Sequence, residues 1–174
     1  MELTTDQKGS IAEAEIVAAA LRLGVGVFRP LSDGERYDLI FDLRPRLLRV
    51  QCKWARRYGD VIIVRCYSAR RNREGLLNRR YSRDEIDLIA AFCPDVECAY
   101  LLPPEICTGR RAVQLRLEPT KNNQQLRVNW AEDFDFAATI RRLGAVAQLG
   151  ERLSGTQKVT GSSPVGSTDY SGVT

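Results

Sequence analysis

The sequence of 174 residues contains no histidine. This absence excludes Ser-His and Cys-His nucleophilic sites, zinc sites with imidazole ligands and histidine general bases. The five cysteines form no Cys-x-x-Cys pair, so we expect reduced thiols, mostly in the core of a cytosolic protein. Hydrolytic chemistry in this chain must therefore use carboxylates and lysine, with or without an oxygen-bound cation.

Long apolar runs are also missing. No segment approaches the roughly 18 apolar residues of a membrane-spanning helix, and the N-terminus lacks the basic-then-apolar pattern of a signal peptide. We therefore expect a cytoplasmic protein without a membrane partner. The chain is long enough to bury the core of one domain without support from disulfides or metals.

Positive charge is concentrated in one part of the sequence. Residues 36–83 contain 14 lysines and arginines, 13 of them arginine, against four acids. This segment has a net charge of +10, whereas the rest of the chain has −6 and the whole chain +4. The arginine guanidinium suits bidentate contacts with phosphate. A solvated basic face is one interpretation of the segment, but binding to a phosphate backbone is the better one.

The hydrophobic pattern predicts an α/β domain over residues 1–143. Thr4 or Thr5 can cap the first helix and Gly24 can end it, while a capping box at 82–85 can open the second. The first four strands favour an antiparallel meander, and the arginine-rich segment 68–80 is predicted to be a mobile loop. The predicted helices cover residues 5–23, 82–92 and 131–143, and the predicted strands cover 25–29, 37–43, 47–54, 61–67, 98–102 and 112–117.

The composition changes from Gly144 onward. The last 31 residues are rich in Gly, Ser and Thr and carry only four charges, which is typical of a flexible tail rather than a second domain. Residues 144–168 also look like the translation of a tRNA gene, since Gly161-Ser162-Ser163-Pro164 can be encoded by a sequence that resembles the T-arm consensus. A plain low-complexity tail is the alternative. On both interpretations we expect residues 144–174 to be disordered and dispensable.

Alternation along the second and third strands places three polar side chains together. Because apolar faces must match, the numbers of paired residues must sum to an odd value. A sum of 89, which follows from a two-residue Arg44-Pro45 turn, sets Asp38 opposite Gln51. A sum of 91 sets Asp38 opposite Lys53. Both registers group these three side chains on one face, and the alternative to a functional site is a solvated polar face of a sheet.

These residues carry a resemblance to a known family. Glu13 in the first helix, Tyr37-Asp38 in the second strand and Gln51-Cys52-Lys53 in the third resemble the core of the PD-(D/E)XK nuclease superfamily. The sequence is most similar to its branch of small intron-encoded (homing) endonucleases and more distantly to archaeal Holliday-junction resolvases. The likeness covers roughly residues 5–107 and extends to Lys8-Gly9-Ser10, Arg36-Tyr37-Asp38-Leu39, Trp54-Ala55-Arg56, Tyr81-Ser82 and Phe92-Cys93-Pro94.

The resemblance implies a restriction-endonuclease-like fold, in which helices flank a short mixed β-sheet, and metal-assisted hydrolysis of double-stranded DNA. Asp38, Gln51, the Cys52 backbone carbonyl and Glu13 would bind Mg²⁺, which Mn²⁺ can replace, because such ions prefer oxygen ligands. Lys53 would orient the attacking water or stabilise charge in the transition state. Gln51 departs from the acidic residue of the motif, since an amide offers an oxygen but no charge. The implied catalytic residues are Glu13, Asp38, Gln51 and Lys53.

The arginines of the basic segment would then bind DNA, mostly through its phosphates. One such site cuts one strand, so a double-strand break implies a homo-oligomer. The competing hypothesis is a nucleic-acid-binding relative without catalysis, which the neutral Gln51 favours. The implied DNA-binding residues are Arg56, Arg57, Arg65, Arg70, Arg71, Arg73, Arg79 and Arg80.

Overall fold

The computed structural model describes residues 2–32, 34–73, 75–119 and 127–154. The helices within these ranges are α1 (Thr5–Arg22), α2 (Pro104–Cys107) and α3 (Phe136–Ser154), with a short 3-10 helix at Glu132–Phe134. The strands are β1 (Gly26–Phe28), β2 (Leu39–Leu43), β3 (Arg46–Trp54), β4 (Arg56–Tyr58), β5 (Val61–Arg65), β6 (Tyr67–Asn72), β7 (Gly75–Arg80), β8 (Leu88–Cys93), β9 (Cys98–Leu102) and β10 (Ala112–Arg116). This mixture confirms the predicted α/β class.

Helix α1 begins and ends close to the predicted positions. The Thr4 side chain accepts a hydrogen bond from the Gln7 backbone N–H at 3.2 Å, and the Gln7 side chain accepts one from the Thr4 N–H at 2.9 Å. This reciprocal capping box satisfies two backbone donors that the first turn leaves free. Gly24, with a φ of 75°, takes the chain out of the helix in the left-handed conformation that glycine adopts without strain.

Five strands form the central sheet in the order β1-β2-β3-β8-β9. Strands β1, β2 and β3 are antiparallel neighbours, whereas β8 runs parallel to β3, with Leu88 beside Val50. Strand β9 then returns antiparallel to β8. The sheet is therefore mixed, as predicted, and its interior strands β3 and β8 join parts of the chain that are far apart in sequence.

Helices α1 and α3 cover one face of this sheet. Ile16 of α1 and Ile140 of α3 pack with Phe41 and Val50 in one buried cluster. The rings of Phe41 and Phe136 meet edge to face with their centroids 6.0 Å apart. Burying a large apolar side chain of this kind contributes about 1.5–3 kcal/mol, so this layer is a main source of stability.

A second sheet, in the order β10-β5-β4, covers the opposite face. Ile62 and Val64 of β5 and Leu115 of β10 pack with Ile89 and Leu102 of the central sheet. The prediction of one antiparallel meander is therefore wrong for its fourth strand: β5 pairs with β4 and β10, not with β3. Both faces of β8 are covered as a result, and all six of its residues are buried.

The predicted helix over 82–92 is wrong. Residues 82–85 form a turn in which the Ser82 N–H donates to the Glu85 carboxylate at 3.1 Å. The capping-box residues therefore form one of the expected hydrogen bonds, but no helix follows them. The apolar run Leu88–Cys93 is strand β8. A strand buried on both faces loses its alternation of polar and apolar residues, and this makes it resemble a helix in sequence.

The predicted loop over 68–80 is also wrong. Strands β6 and β7 form a two-stranded antiparallel ribbon, with Tyr67 paired with Arg80 and Asn72 with Gly75. Gly75 has a φ of 130°, which residues with a Cβ rarely adopt, and it closes the ribbon at its tip. We refer to β6 and β7 with their connection, residues 67–80, as the ribbon.

The final helix is longer than predicted. After the 3-10 helix, α3 begins at Phe136, passes the predicted domain boundary at Gly144 and ends at Ser154. The rest of the predicted tail, residues 155–174, lies outside the described residues, so its disorder remains a prediction. The helices within the described part of the chain all lack the length and apolar character that crossing a lipid bilayer requires.

Candidate active site

The register of β2 and β3 brings Asp38 to Gln51. Leu39 pairs with Val50 and Leu43 with Arg46, so Arg44 and Pro45 form the two-residue turn and the sum of paired numbers is 89. Asp38 directly precedes β2, and its N–H donates to the Val50 carbonyl at 2.9 Å, which holds it beside the end of the paired segment. The first of the two predicted registers is therefore the one that the chain adopts.

The Asp38 carboxylate lies against the backbone of β3. Its Oδ2 atom accepts hydrogen bonds from the Cys52 N–H at 2.7 Å and from the side-chain amide of Gln51. The same Gln51 Nε2 atom lies 3.3 Å from the Cys52 carbonyl oxygen. An Asp38 carboxylate oxygen and the Cys52 carbonyl oxygen therefore both lie next to the amide nitrogen of Gln51. The N–H groups of this amide carry a partial positive charge, which faces the two oxygens.

Burial controls the charge state of this carboxylate. Desolvation raises the pKa of Asp38 above its ordinary value, while the hydrogen bond from Cys52 and the positive charge of Lys53 act in the opposite direction. Gln51 is only 8% exposed, so this is not a solvated polar face of a sheet. A cation placed beside Asp38 would remove the penalty for keeping the carboxylate charged.

Glu13 of α1 lies in the same electrostatic environment. Burial raises the pKa of Glu13, and the negative charge of Asp38 raises it further. Arg29, just after β1, forms an ion pair with Glu13 at 3.5 Å and lowers that pKa in part. A cleft of about 330 Å³ opens at this point and is lined by Glu13, Arg29, Pro30, Ser32, Gly34, Glu35, Tyr37 and Asp38. The two predicted carboxylates therefore line one cleft.

Lys53 lies on the same face of β3 as Gln51. It is half-buried, and its Nζ atom donates a hydrogen bond of 2.6 Å to the hydroxyl of Tyr81. Desolvation lowers the pKa of Lys53 to about 8, although the negative charge of Asp38 acts to raise it. The structure thus brings Asp38, Gln51 and Lys53 together, as both predicted registers require.

The donor atoms at this site are suited to a hard divalent cation. In the described ranges, no three cysteine or carboxylate side chains stand together as a metal site of their own. The Glu13 and Asp38 carboxylates in the cleft, the Cys52 carbonyl and the Gln51 amide nevertheless all offer oxygen atoms, which Mg²⁺ prefers together with water. The Gln51 amide can present its oxygen instead of its nitrogen by rotation about its last side-chain bond.

A comparison with protein families decides the assignment. Residues 3–137 match the family described as PD-(D/E)XK endonuclease. The chain belongs to the PD-(D/E)XK endonuclease family. This membership confirms the resemblance carried by Glu13, Asp38 and Lys53, and it supports nuclease activity on DNA.

One solved structure extends the comparison. The bacterial homing endonuclease I-Ssp6803I is similar to this PD-(D/E)XK chain, with a TM-score of 0.64 and 25% identity, over 87% of this chain and 99% of the other. Among curated proteins, none matches the sequence. The likeness spans nearly the whole of I-Ssp6803I, so the mixed sheet and its flanking layers are the fold of a PD-(D/E)XK endonuclease.

The predicted DNA-binding arginines of this PD-(D/E)XK chain fall into two groups. Arg56 and Arg57 of β4 and Arg65 of β5 are exposed on the second sheet, and the Arg57 N–H donates to Asp95 at 2.9 Å. The other group belongs to the ribbon: Arg70, Arg71, Arg73, Arg79 and Arg80. Arg73, Arg79 and Arg80 are exposed, and Arg79 forms an ion pair with Glu85.

Three residues at the site were not singled out by sequence reasoning for any role there. Arg29 pairs with Glu13, Tyr81 accepts a hydrogen bond from Lys53, and the Arg36 guanidinium lies 4.6 Å from the centre of the Tyr81 ring. Arg36 and Tyr81 belong to segments of the family likeness, which was the only available signal. Their contacts join residues tens of positions apart, and no local pattern predicts such contacts.

Proposed function

We propose that the chain is a Mg²⁺-dependent endodeoxyribonuclease that hydrolyses phosphodiester bonds in double-stranded DNA. The observation that carries this proposal is the convergence of Asp38, Glu13 and the Cys52 carbonyl beside a half-buried lysine, Lys53. Oxygen donors on one side and a cation on the other are what a site needs to bind a metal and a phosphate together.

Asp38, the Cys52 carbonyl and the Gln51 amide oxygen would hold the cation, with Glu13 as a further ligand directly or through water. When bound, the ion supplies Lewis-acid activation of the phosphate and a lower pKa for a bound water. Lys53 orients the attacking water or stabilises negative charge on the phosphate in the transition state. Arg29, beside Glu13 in the same cleft, attracts the phosphate backbone towards the carboxylates.

The arginines bind the DNA on either side of the cut. A two-stranded β-ribbon has dimensions that fit the major groove of B-DNA, so the ribbon inserts there while Arg73, Arg79 and Arg80 contact phosphates or guanine edges. Arg56, Arg57 and Arg65 bind phosphates from the second sheet. If about six arginines neutralise phosphates, the logarithm of the affinity falls with the logarithm of salt concentration at a slope near −5.

The structural likeness to a homing endonuclease favours a homing-type activity over a resolvase-type one. Each chain contributes one site for one strand, and a double-strand break therefore requires a second copy. Products on a long duplex separate the two types: a homing-type enzyme cuts at one sequence, whereas a resolvase-type enzyme cuts only branched DNA.

Plasmid cleavage by the purified full chain tests the proposal. With Mg²⁺ we expect supercoiled DNA to be nicked or linearised, and with EDTA we expect it to remain intact. Asp38→Asn should lose cleavage while DNA binding in low salt survives, because the arginines of the ribbon and the second sheet are unchanged. Asp42→Asn is the matched control, since Asp42 lies in β2, four residues after Asp38, and forms an ion pair with Arg44 at 3.4 Å. Unchanged cleavage by Asp38→Asn would contradict the metal assignment.

A second candidate is a DNA-binding protein without catalysis. The specific observation in its favour is the Gln51 amide, which contributes no charge and directs its nitrogen at Asp38. This candidate predicts binding to duplex DNA with the same salt dependence but no cleavage under any divalent cation. The plasmid assay with Mg²⁺ and with Mn²⁺ therefore separates the two.

A further inference from the structure

Tyr81 connects the ribbon to the lysine of the candidate site. It directly follows Arg80, the last residue of β7, and its hydroxyl accepts a hydrogen bond of 2.6 Å from Lys53 Nζ. The Lys53 Nζ atom is 4.9 Å from the centre of the Tyr81 ring, so the hydroxyl is the closer partner. The contact between the two residues is therefore chiefly a hydrogen bond to oxygen and only secondarily an interaction with the ring.

Arg36 holds the same tyrosine against the base of the ribbon. Its guanidinium donates to the Ser68 hydroxyl of β6 at 2.7 Å, to the Arg80 carbonyl of β7 at 2.9 Å and to Glu85 at 3.2 Å. The same group lies 4.6 Å from the centre of the Tyr81 ring, within the range of a cation–π contact. The Arg36 side chain thus contacts both strands of the ribbon and the residue that holds Lys53.

We propose that Tyr81 is a positioning residue for Lys53, and that Arg36 fixes Tyr81 to the base of the ribbon. This proposal rests on the proposed function, in which Lys53 acts on the phosphate or the attacking water. DNA that seats on the ribbon is thereby linked, through Arg36 and Tyr81, to the orientation of the lysine. A merely structural Tyr81 would need its ring but not its hydroxyl.

The number of donors on lysine explains why such a partner is useful. An ammonium group has three N–H donors on a flexible four-carbon chain. One donor bound to Tyr81 restricts the rotamers of Lys53, and the other two remain free for the phosphate and the water. A neutral hydroxyl does this without competing for the positive charge, whereas a carboxylate in the same place would neutralise it.

Cleavage kinetics test the role of the hydroxyl. Tyr81→Phe keeps the ring and removes the oxygen, so we expect the single-turnover cleavage rate to fall about tenfold, which is the scale of one hydrogen bond. DNA affinity and melting temperature should stay within error of the parent. Tyr100→Phe is the matched control, because Tyr100 is a buried member of the cluster around Ile62, against which the half-buried Tyr81 also packs, and it should cleave at the parent rate.

A double-mutant cycle identifies the partner through which Tyr81 acts. Adding Tyr81→Phe to Lys53→Met should cause no further loss of rate, since the hydroxyl then has no ammonium to hold. A tenfold loss in that background, or a parent-like rate for Tyr81→Phe alone, would overturn the proposal. So would a loss of DNA affinity or melting temperature as large as that of Tyr81→Leu.

A readout that does not depend on cleavage keeps the proposal separable from the function. The sequence has only four lysines, Lys8, Lys53, Lys121 and Lys158, so ¹⁵N spectra of the side-chain ammonium groups are simple to assign with Lys53→Arg. We expect a slowly exchanging Lys53 signal in the parent and its loss in Tyr81→Phe. If the parent does not cleave DNA, the proposed function fails while this measurement still decides the contact. An unchanged Lys53 signal in Tyr81→Phe would refute the positioning role.

Discussion

The two faces of strand β3 differ in what they contribute. Leu48, Val50 and Cys52 point into the apolar cluster beneath α1 and α3. On the other face, the alternating residues bind polar side chains: Arg49 binds Asp87, Gln51 binds Asp38 and Lys53 binds Tyr81. Alternate residues of one strand therefore face the apolar core and the candidate site. We expect mutations on the first face to lower stability and mutations of Gln51 or Lys53 on the second to change activity.

The largest expected effect is on the apolar face. Leu48→Ala should lower the free energy of unfolding by about 2–5 kcal/mol, because it removes buried methyl groups and leaves a cavity. Urea unfolding measures this loss, and the folded fraction should keep the parent cleavage rate. Leu47→Ala is the matched control: Leu47 is the preceding residue but is 62% exposed, so its change should stay within about 0.5 kcal/mol.

The polar face should show the reverse. Lys53→Met is expected to slow cleavage by at least about a hundredfold, the scale for removing a group that stabilises transition-state charge. The same change should raise the melting temperature, since burial lowers the pKa of Lys53 to about 8 and so disfavours its charged form in the folded state. A variant that is slower but also less stable would contradict this trade-off.

The difference in stability between the parent and Lys53→Met should depend on pH, because the pKa of Lys53 differs between the folded and the unfolded chain. Below about pH 8 the Lys53 ammonium is charged in both the folded and the unfolded chain, so the free-energy cost of burying its charge is fully present. Between about pH 8 and the ordinary lysine pKa, the unfolded chain holds more protons, and the stability of the parent rises with pH. Melting temperatures of the parent and Lys53→Met should therefore converge as pH rises from 7 to 10.

A smaller effect is expected at Gln51. Without metal, Gln51→Glu should destabilise the chain by about 1–3 kcal/mol at pH 8, because the Cys52 carbonyl and Asp38 lose their donor and face a like charge. Added Mg²⁺ should then raise the melting temperature more than it does in the parent. Gln114→Glu, at an exposed position in β10, is the control and should respond to neither.

The smallest effect is expected at Asp87, whose role on the polar face is structural. Its carboxylate accepts from the Arg49 N–H at 2.7 Å and from the Arg49 guanidinium at 3.0 and 3.1 Å. Burial alone would raise the pKa of Asp87, but these hydrogen bonds from Arg49 lower it overall. Asp87→Asn should therefore cost about 1 kcal/mol at pH 7 without slowing cleavage.

Acid titration checks that assignment. A depressed pKa stabilises the fold above the ordinary aspartate pKa and loses this contribution as pH falls through the folded value. The difference in the free energy of unfolding between the parent and Asp87→Asn should therefore become smaller below about pH 4. Asp84→Asn, an exposed neighbour, is the control and should change the free energy of unfolding at pH 7 by less than about 0.5 kcal/mol. A gap that persists at pH 2 would mean that the side chain matters for its shape and not for its charge.

Sequence reasoning succeeded where alternation survives. Strands β2 and β3 each have one polar and one apolar face, so the pattern restricts the register between the two strands to the two choices given above. It failed at Leu88–Cys93, where burial on both faces erases the alternation. It also failed at the ribbon, where none of the side chains that the structure describes belongs to either apolar cluster. The hydrophobic pattern of a segment indicates which of its faces are buried, and it identifies a strand when one face is buried and the other is not.

The candidate site was predictable to the same extent. Asp38, Gln51 and Lys53 were grouped by strand geometry, and Glu13 by the family likeness. The contact from Lys53 to Tyr81 spans 28 residues and encloses the ribbon, whose sequence predicts a loop. Arg36 contributes to the charge of the basic segment, yet its guanidinium binds other residues of the protein, so the net charge of a segment does not identify which arginines can bind phosphate.

The parallel pairing of β3 with β8 also has a consequence for how the protein folds. Helix α1 and strands β1–β3 are close in sequence and can assemble early, whereas Val50 meets Leu88 only after a long excursion of the chain has closed. Such non-local closure slows folding. The entropic cost grows only with the logarithm of loop length, about 0.6 kcal/mol for each doubling. The ribbon lies inside this closed excursion, so a longer or shorter ribbon should change the free energy of folding only slightly.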